Sequence, residues 1–390
     1  MTRARRAAAL AAALSFTMLL GACRPAATGS DSTAAASDGK VSAETAVAIA
    51  AAKAEVAAVS AVRTRIYVTE PLGASVAGKK LVYAEPAIPI GAIVGDKLEE
   101  AAKVIGFGFS RVSIGADPAS IAAGMDQIAA LAPDAVIVTA FDPASTWKTQ
   151  ALKLKARNIP TILIGGIACD DILSACQPDE VGVSLALVGG AAAVEMGRLQ
   201  AAKVIVDSNG KANAAYFGDE MLGNSRFLEK GFVDRVKECP GCKARAQQLP
   251  SAGIQSGAAA SQIVSFLQAN PEVNYASLQY GDFATGVPTA LKAAGLTGFH
   301  FVTQASGPAQ YDDIKAGGSQ IADVPVPLGY LGYLAVDSAA RFVVGRKVTA
   351  EQVRQPMTVF TRDFIDVSDG GFWPGVEGYR DQFTLLWNVR

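Results

Sequence analysis

Apolar residues follow two alternating patterns along this chain. Short continuous apolar runs are typical of strands buried on both faces, and longer stretches with apolar residues every three or four positions are typical of helices. The runs predict strands at 80–84, 110–114, 134–139, 160–164, 213–217, 244–249, 274–279 and 299–303. The stretches predict helices at 91–105, 118–131, 143–157, 187–207, 224–237, 255–269, 283–294 and 328–344.

Strands and helices that alternate in this way indicate βαβ units and parallel sheets. The series also falls into two similar halves, each with four predicted strands. The chain of 390 residues is long enough for two separate cores. We therefore expect an α/β protein with two Rossmann-like lobes, whose ligands bind at the carboxyl ends of the strands.

The N-terminus has the order of a secretory signal. Three arginines, Arg3, Arg5 and Arg6, precede an apolar run at 7–20. The run is shorter than the roughly 20 residues that a membrane-spanning helix needs. It ends in Leu-Gly-Ala-Cys, which resembles the bacterial lipoprotein box, and that resemblance implies cleavage before Cys23 and a lipid on its thiol. A plain signal peptide and an uncleaved anchor are the alternatives.

The residues that follow Cys23 predict a tether and then a helix. Residues 24–41 are small, polar and low in complexity, as in flexible linkers. Ser42 is placed to cap an alanine-rich helix that runs to about residue 62. No chemistry is expected in that helix.

The remaining four cysteines form two close pairs, Cys169 with Cys176 and Cys239 with Cys242. In an oxidising compartment both pairs predict local disulfides. The Cys-Pro-Gly-Cys spacing is also found in redox sites, but these place the first cysteine at a helix N-terminus, whereas Cys239 follows a predicted helix. Redox catalysis and zinc binding are the weaker alternatives.

Charge and motifs argue against nucleic-acid binding and against catalysis. The formal net charge is −1, so no basic surplus favours a nucleic-acid partner. The single histidine, His300, lies within a predicted strand, and the sequence has no nucleophile triad, metal-ligand spacing or phosphate loop. We therefore expect no enzymatic activity, no cofactor and no metal.

Residues from about 79 to 350 resemble the periplasmic sugar-binding proteins of ABC importers. The resemblance is carried by an ordered series of segments that includes GKKLVYAEPAIPIGAIVGDKLEEAAKVIGF, ADPASIAAGMDQIAALAPDAVIVTAFDPA, GDEMLGNSRFLEKGF and LQANPEVNYASLQYGDFATGVPTALKAAGL. It implies a type 1 periplasmic-binding-protein fold, in which two lobes joined by three crossover segments close on a ligand. The crossovers are expected near Ser184, Pro325 and Arg354.

The resemblance also divides the chain into parts. These are a signal peptide at 1–22, a lipidated tether and helix at 23–78, an N-terminal lobe at 79–184 plus 326–353, and a C-terminal lobe at 185–325 plus 354–390. The aromatic tail, with Trp373, Tyr379 and Trp387, lies beyond the resemblance. Core packing is expected for it, with a role across the hinge or over the cleft as the alternative.

Alignment with the sugar binders gives a set of candidate ligand-binding residues. They are Glu85, Ile88, Ile90, Phe141, Asp142, Gly165, Gly166, Asn224, Arg226, Tyr280, Asp282, Gln304 and Pro325. At least six polar or aromatic sugar contacts of the family are replaced by other residues in this chain. Gly165-Gly166 stands in place of Asp-Arg, and Leu228 stands in place of Arg. Unpaired sugar hydroxyls in such a cleft would each cost roughly 1–3 kcal/mol.

These replacements predict a ligand with a large apolar or aromatic part rather than a simple sugar. Asn224 or Arg226 would anchor a carboxylate or hydroxyl of that ligand at a helix N-terminus. The expected function is a monomeric, lipid-anchored receptor that delivers its ligand to an ABC permease and ATPase at the cell envelope. The alternative is a sensory lipoprotein that partners a membrane kinase or chemoreceptor.

Overall fold

A computed structural model describes residues 41–168 and 178–388 of the chain. Helix α1 precedes the first sheet, whose strands alternate with helices. The elements are α1 (Ala43–Ala58), β1 (Lys80–Glu85), α2 (Pro89–Ile105), β2 (Gly108–Ser113), α3 (Pro118–Ala130), β3 (Ala135–Thr139), α4 (Lys148–Ala156), β4 (Thr161–Ile164) and β5 (Leu185–Leu187). The strands pair in the order β2-β1-β3-β4-β5, and every pairing is parallel.

The second sheet follows in the same manner. Its elements are α5 (Gly190–Asp207), β6 (Asn213–Asp219), α6 (Asn224–Lys237), β7 (Lys243–Leu249), α7 (Ser251–Gln255), α8 (Ala259–Ala269), β8 (Tyr275–Leu278), α9 (Val287–Ala293), β9 (His300–Gln304), α10 (Pro308–Ala316) and β10 (Gln320–Val324). The strand order β10-β9-β8-β6-β7 is also wholly parallel. The predicted fold class of two α/β lobes with parallel sheets is confirmed.

Both sheets bury side chains on their two faces, as the continuous apolar runs predict. In β1, Leu81 and Tyr83 pack into the core that includes α2, while Val82 and Ala84 pack with α3 and α4 on the other side. All four side chains are at most 2% exposed. Alternate residues of a strand point to opposite faces, so a sheet covered on both sides requires an unbroken apolar run.

Several helix boundaries have a clear local cause. Helix α2 begins at Pro89, two residues before the predicted start, because proline is well tolerated in the first turn of a helix. Asp117 caps α3 by accepting bonds from the backbone nitrogens of Ala119 and Ser120. The predicted helix at 255–269 begins only at Ala259, as α8, because Gly257 with its φ of +77° separates it from the short α7.

The chain crosses between the lobes after β5, after β10 and near residue 355. Strand β5 pairs with β4, whereas α5 packs against β8, β9 and β10, so the first crossing follows residue 187 rather than Ser184. After β10 the chain enters α11 (Leu328–Val343), which packs on α2, β3 and β4. The chain returns by residue 360, where Phe360 forms an antiparallel bridge with Asp323 at the end of β10.

The two ends of the described chain also span both lobes. Helix α1 packs on α5 of the second lobe, and Arg235 of α6 forms an ion pair with Glu55 of α1. The chain then runs to the first lobe, where Leu72 donates a backbone hydrogen bond to Leu386. This N-terminal connection at 59–65 is additional to the three expected crossovers.

Only part of the tail lies on the C-terminal lobe, to which the sequence prediction assigns all of it. Its first part does lie on that lobe, since Phe360 and Trp373 pack with Tyr311 of α10. Helix α12 (Tyr379–Trp387) instead packs against α11 and α2 of the first lobe. Trp387 stacks on Tyr333 of α11 with ring centroids 5.5 Å apart. The tail ends on the first lobe because its aromatic rings are buried there. Sequence patterns alone do not show which lobe buries them.

Of the helices in 41–168 and 178–388, none is both long and apolar enough to span a bilayer. Cys23, Cys169 and Cys176, which carry the predicted lipid and the first disulfide, lie outside the described residues. The sulfurs of Cys239 and Cys242 are joined as a disulfide just after α6. Cys239 is buried against Ala48 and Ile49 of α1, so this turn helps to seat α1 on the second lobe.

Candidate ligand-binding cleft

The candidate residues lie at the carboxyl ends of the strands in both lobes. In the first lobe they follow β1, β3 and β4, and in the second they begin α6 or follow β8, β9 and β10. The two edges meet at Asp142 and Gly223. A Cβ added to Gly223 at the start of α6 would overlap the Asp142 carboxylate, and the neighbouring Leu222 packs against the first-lobe core. The lobes are therefore in contact across the cleft.

Asp142 is the most deeply placed carboxylate at this junction. It is 4% exposed, and its Oδ1 accepts a hydrogen bond of 2.5 Å from the backbone nitrogen of Ile167, after β4. An aspartate before Pro-Ala could simply cap the next helix, but the Asp142 side chain makes no capping bond to the helical turn at 143–147. Asp142 instead joins the loops after β3 and β4 and meets the second lobe.

Glu85 is the last residue of β1 and is held beside the sheet. Arg111 of β2 forms an ion pair with it and bonds further to Asp96 and to the carbonyl of Ala92 in α2. The Glu85 side chain is 23% exposed and lies on the α2 side of β1. This ion pair gives Glu85 a structural role that is independent of any ligand.

Ile88 and Ile90 give the loop after β1 its apolar surface. Both side chains are half-buried, and Ile90 packs against the core beneath α2. Ile88 stands immediately before α2 and makes no side-chain capping bond. The accessible part of Ile88 is therefore the apolar surface that this loop offers beside the cleft.

The two glycines after β4 differ in what surrounds them. A Cβ on Gly166 would lie 2.9 Å from the carbonyl oxygen of Ala140 and 3.2 Å from Asp142 Oδ1. Two glycines in place of the larger Asp-Arg pair predict added volume for a ligand, but the packing around Gly166 leaves none. Gly165 has a φ of +71° and open space at its Cβ position, so room for a ligand exists only there.

A polar network at the strand ends of the second lobe was missed from the sequence. Gln279, which is fully buried after β8, accepts a bond of 2.6 Å from the backbone nitrogen of Asp219 at the end of β6. Its Nε2 donates to Asn224 Oδ1 at 2.8 Å. Asp219 also accepts bonds from Met221 N at 2.9 Å and from Ser251. The sequence signal for this network is the polar residue at or just after the end of each apolar run, Asp219 after 213–217 and Gln279 in 274–279.

The aromatic rings that follow β3 and β8 are also candidates for ligand contact, but most of them are core residues. Phe141 is 3% exposed, Trp147 1% and Phe283 0%, and Trp147 Nε1 donates to the carbonyl of Phe141 at 2.9 Å. Tyr280 keeps accessible surface and contacts Phe283 edge to face, with ring centroids 4.8 Å apart. Tyr280 is therefore the aromatic candidate that a ligand can contact directly.

Two titratable residues in the second-lobe wall, Tyr280 and Asp282, have pKa values that are raised by desolvation. Burial raises the pKa of Tyr280, and the nearby carboxylates of Asp219 and Asp282 raise it further. Desolvation also raises the pKa of Asp282, although this residue is exposed at the surface. Partial desolvation of the Asp282 carboxyl is the cause of this shift.

The other second-lobe candidates divide into exposed and buried residues. Arg226 is exposed on the first turn of α6, whereas Leu228 is fully buried beneath that helix. Gln304 is 7% exposed at the end of β9, and Pro325 is buried after β10. Asn224 and Arg226 are thus the accessible polar candidates at the start of α6.

This arrangement, two parallel-sheet lobes with polar groups at the facing strand ends, defines a two-lobe solute-binding protein. Residues 82–347 match the model of the periplasmic binding protein domain family. The chain belongs to that family, whose members are binding receptors rather than enzymes. Within the described residues, no group of three or more His, Cys, Asp or Glu side chains is placed to hold a metal ion.

Solved structures of the same fold support the assignment. The glucose-galactose binding protein GanP from Geobacillus stearothermophilus is 20% identical and has a TM-score of 0.62, over 74% of this chain and 99% of its own. A periplasmic ribose ABC transporter protein from Conexibacter woesei is 20% identical with a TM-score of 0.60, over 77% and 97%. A sugar ABC transporter protein from Yersinia enterocolitica is 14% identical with a TM-score of 0.64, over 83% and 99%. No curated protein matches the sequence.

Proposed function

We propose that the protein is an extracytoplasmic receptor that captures a small solute between its lobes and delivers it to an ABC permease with its ATPase. The observation that carries this proposal is the contact of Asp142 with Gly223, which joins the two rows of strand ends. The similar proteins from Conexibacter woesei and Yersinia enterocolitica are described as parts of ABC transporters.

The proposed ligand has a substantial apolar or aromatic part and at least one hydrogen-bond donor. Ile88, the open space beside Gly165 and the accessible face of Tyr280 suit the apolar part. Asn224 or Arg226 anchors a carboxylate or hydroxyl of the ligand, and Asp282 adds carboxylate oxygens that accept bonds from hydroxyl or ammonium groups. Small-molecule sites typically combine a largely apolar wall with a few polar anchors of this kind.

A simple sugar is the second candidate for the ligand. Among the similar proteins, one is a glucose-galactose binding protein, one is a periplasmic ribose ABC transporter protein, and one from Shewanella is bound to arabinofuranose. The network of Asp219, Gln279 and Asn224 adds polar groups that a hydroxylated ligand would use. These groups are more numerous than the sequence alone indicated.

A ligand panel distinguishes the two candidates. The purified protein is titrated calorimetrically with pentoses, hexoses, aromatic alcohols and terpenoid acids, and any co-purified ligand is identified by mass spectrometry. The apolar proposal expects binding of the aromatic or terpenoid compounds. Tight binding of a simple pentose or hexose with none of the apolar compounds would show that the ligand is a sugar.

The transport role is tested separately from the ligand. Deletion of the permease gene should abolish uptake of the identified ligand while leaving its binding to the receptor intact. The alternative is a sensory lipoprotein that signals through a membrane kinase or chemoreceptor. Unchanged uptake together with loss of a ligand-dependent kinase response in cells lacking the receptor would favour that alternative.

We propose further that Cys23 carries a lipid that holds the receptor at the outer face of the cytoplasmic membrane or in the periplasm. The proposal rests on the Leu-Gly-Ala-Cys sequence after an apolar run. Metabolic labelling with a radioactive fatty acid should mark the wild-type chain and not Cys23→Ser. Equal labelling of both, or release of the wild-type protein without detergent, would contradict the anchor.

A further inference from the structure

A second cavity lies on the hinge side of the molecule and is built partly from segments outside the family match. Its volume is about 850 Å³. The walls come from 58–67 before the first lobe, from the crossing segments 186–192 and 353–357, and from Trp373 and Gly375 of the tail. We call it the hinge cavity. It shares none of the candidate cleft residues named above.

Two arginines give the hinge cavity a positive wall. The guanidinium carbon of Arg63 lies 3.6 Å from the ring centroid of Tyr67, and that of Arg354 lies 5.2 Å from the same centroid. The Nε of Arg63 is buried and has no hydrogen-bond partner within the described residues. Arg354 contacts Glu351 only at 3.4 Å in an exposed pair, which contributes little.

The first turn of α5 adds further positive potential to the same wall. Residues 189–192 line the cavity, and the cap Gly189 supplies no side-chain acceptor to the free backbone N–H groups of that turn. The first turn of this 18-residue helix also contains no acidic residue. Such a terminus favours an anion. One carboxylate, Glu195, lines the cavity against the two arginines, so the charge balance remains positive.

Apolar side chains complete the hinge cavity, and a buried hydroxyl lies in a smaller cavity beside it. Val62, Val188 and Trp373 provide apolar surface in the hinge cavity. A smaller cavity of about 320 Å³ adjoins it and shares Val62 and Trp373, among others, as wall residues. Thr358 lines this smaller cavity, is 3% exposed, and has an Oγ1 without a hydrogen-bond partner in the described chain.

We propose that the hinge cavity is a second binding site, for a small organic anion that carries a carboxylate on an apolar or aromatic body. The carboxylate accepts bonds from Arg63, Arg354 and the N-terminal amides of α5, and the apolar body contacts Val62 and Trp373. The cavity volume lies within the range of roughly 300–1,000 Å³ typical of small-molecule sites. Because its walls include segments that connect the lobes, its occupancy is coupled to the hinge.

The test compares organic anions with neutral analogues of the same shape. The full-length protein is titrated calorimetrically with benzoate, cinnamate and indole-3-acetate, and with the corresponding primary amides. We expect one anion to bind with 1:1 stoichiometry and about tenfold more tightly than its amide, because charge-assisted bonds are lost in the amide. Inorganic phosphate tests whether charge alone is sufficient, and we expect it to bind more weakly.

Variants then locate the binding. Arg354→Gln, an exposed position that folding tolerates, and the double variant with Arg63→Gln should weaken the anion about tenfold or more. Arg362→Gln, an exposed arginine outside the cavity, should bind as the wild type does. Asp142→Ala in the cleft should also retain the anion, which separates this site from the proposed solute site.

Three results would overturn the proposal. They are equal binding of anions and amides, unchanged binding in the arginine variants, and absence of binding by every organic anion up to about 5 mM, a concentration at which even a weak site is occupied. Loss of binding in Asp142→Ala with retention in Arg354→Gln would assign the anion to the cleft instead.

Discussion

At the scale of single residues, Gly223 determines how closely the two lobes approach. Its φ of −57° and ψ of −32° suit any residue, so the absence of a side chain is not needed for the backbone. A Cβ at this position would instead overlap the carboxylate of Asp142 in the opposite lobe. Glycine is therefore explained by the contact between lobes, which sequence patterns do not reveal.

We predict that Gly223→Ala hinders closure of the cleft. The added methyl group displaces Asp142 or keeps the lobes apart, so the affinity for the cleft ligand should fall about tenfold, near 1.4 kcal/mol. Calorimetry with the ligand identified from the panel measures this change. Gly108→Ala is the control, because its Cβ would meet only the carbonyl of Lys79, at 3.5 Å. Equal affinity of the two variants would contradict the role of Gly223.

Asp323 at the end of β10 should give the protein a pH-dependent stability. Burial raises its pKa to about 6, although hydrogen bonds from Thr303 and Ser306 act in the opposite direction. The folded protein then holds a proton that the unfolded chain releases near pH 4. The free energy of unfolding therefore falls as the pH rises from about 4 to about 6, and this group contributes roughly 2–3 kcal/mol to the fall.

Urea unfolding at pH values from 4 to 7 tests this prediction. Asp323→Asn stays neutral throughout, so its stability should decline less with rising pH than that of the wild type. Asp381→Asn, an exposed carboxylate of α12, is the control and should follow the wild-type slope. A wild-type slope in the Asp323→Asn variant would show that this buried carboxyl does not titrate in the window.

At the scale of elements, Trp387 is one of the aromatic residues that attach α12 to the first lobe. Its ring stacks on Tyr333, and its Nε1 donates to Asp337 Oδ1 at 2.8 Å. Asp337 is also paired with the buried Arg341. We predict that Trp387→Ala lowers the free energy of unfolding by about 3–5 kcal/mol, the range for large aromatic residues in a core.

Equilibrium urea unfolding compares Trp387→Ala with Leu385→Ala on the same helix. Leu385 is 78% exposed, so its truncation should change stability by less than about 0.5 kcal/mol. Similar stability of the two variants would mean that α12 is not part of the cooperative core.

Sequence patterns located the long buried elements well and the short or polar ones poorly. Helix α6 was predicted with the bounds that the structure has, because its apolar face repeats over four turns. Strand β5 was missed because it has three residues, two of them half-buried. Strand β10 contains the polar residues Gln320 and Asp323. Their burial is tolerated because the Thr303 hydroxyl forms hydrogen bonds with both side chains. Such satisfaction of polar groups is a tertiary property.

The candidate residues lie at the strand ends where the sequence places them, but the sequence misses part of the polar network there. The carboxyl ends of parallel strands lie at one edge, so the loops after β1, β3, β4 and β8 were expected to face the ligand. Asp219 and Gln279 were missed because their hydrogen bond joins residues 60 positions apart. Glu85 was included, although Arg111 holds it against the sheet.

At the scale of the whole molecule, five segments within residues 41–168 and 178–388 connect the lobes, whereas the resemblance implies three. The additional connections are 59–65 and 373–377, and they run side by side. Arg63 and Val376 form a parallel bridge, and Glu377 donates a backbone bond of 2.8 Å to Arg63. Each extra segment limits the relative motion of the lobes, so a smaller opening is expected than three crossovers alone would permit.

Gln382 of α12 joins these two extra connections, and its loss should release them. Its Oε1 accepts from Ile66 N at 3.1 Å, and its Nε2 donates to the carbonyls of Thr64 at 3.1 Å and Glu377 at 2.9 Å. We predict that Gln382→Ala lowers the free energy of unfolding by about 1–3 kcal/mol, because three backbone groups lose their partner. Hydrogen exchange should accelerate at 59–66 and 373–378 and stay slow in both sheets.

The neighbouring variant Asp381→Ala provides the matched control for the paired connections. Asp381 is exposed on the same turn of α12, so its removal should leave hydrogen exchange in both connections unchanged. Small-angle scattering of the ligand-free protein should then give a larger radius of gyration for Gln382→Ala than for Asp381→Ala, because freed connections allow wider opening. If exchange accelerates while the radius of gyration stays equal, the connections stabilise the termini without restraining the hinge.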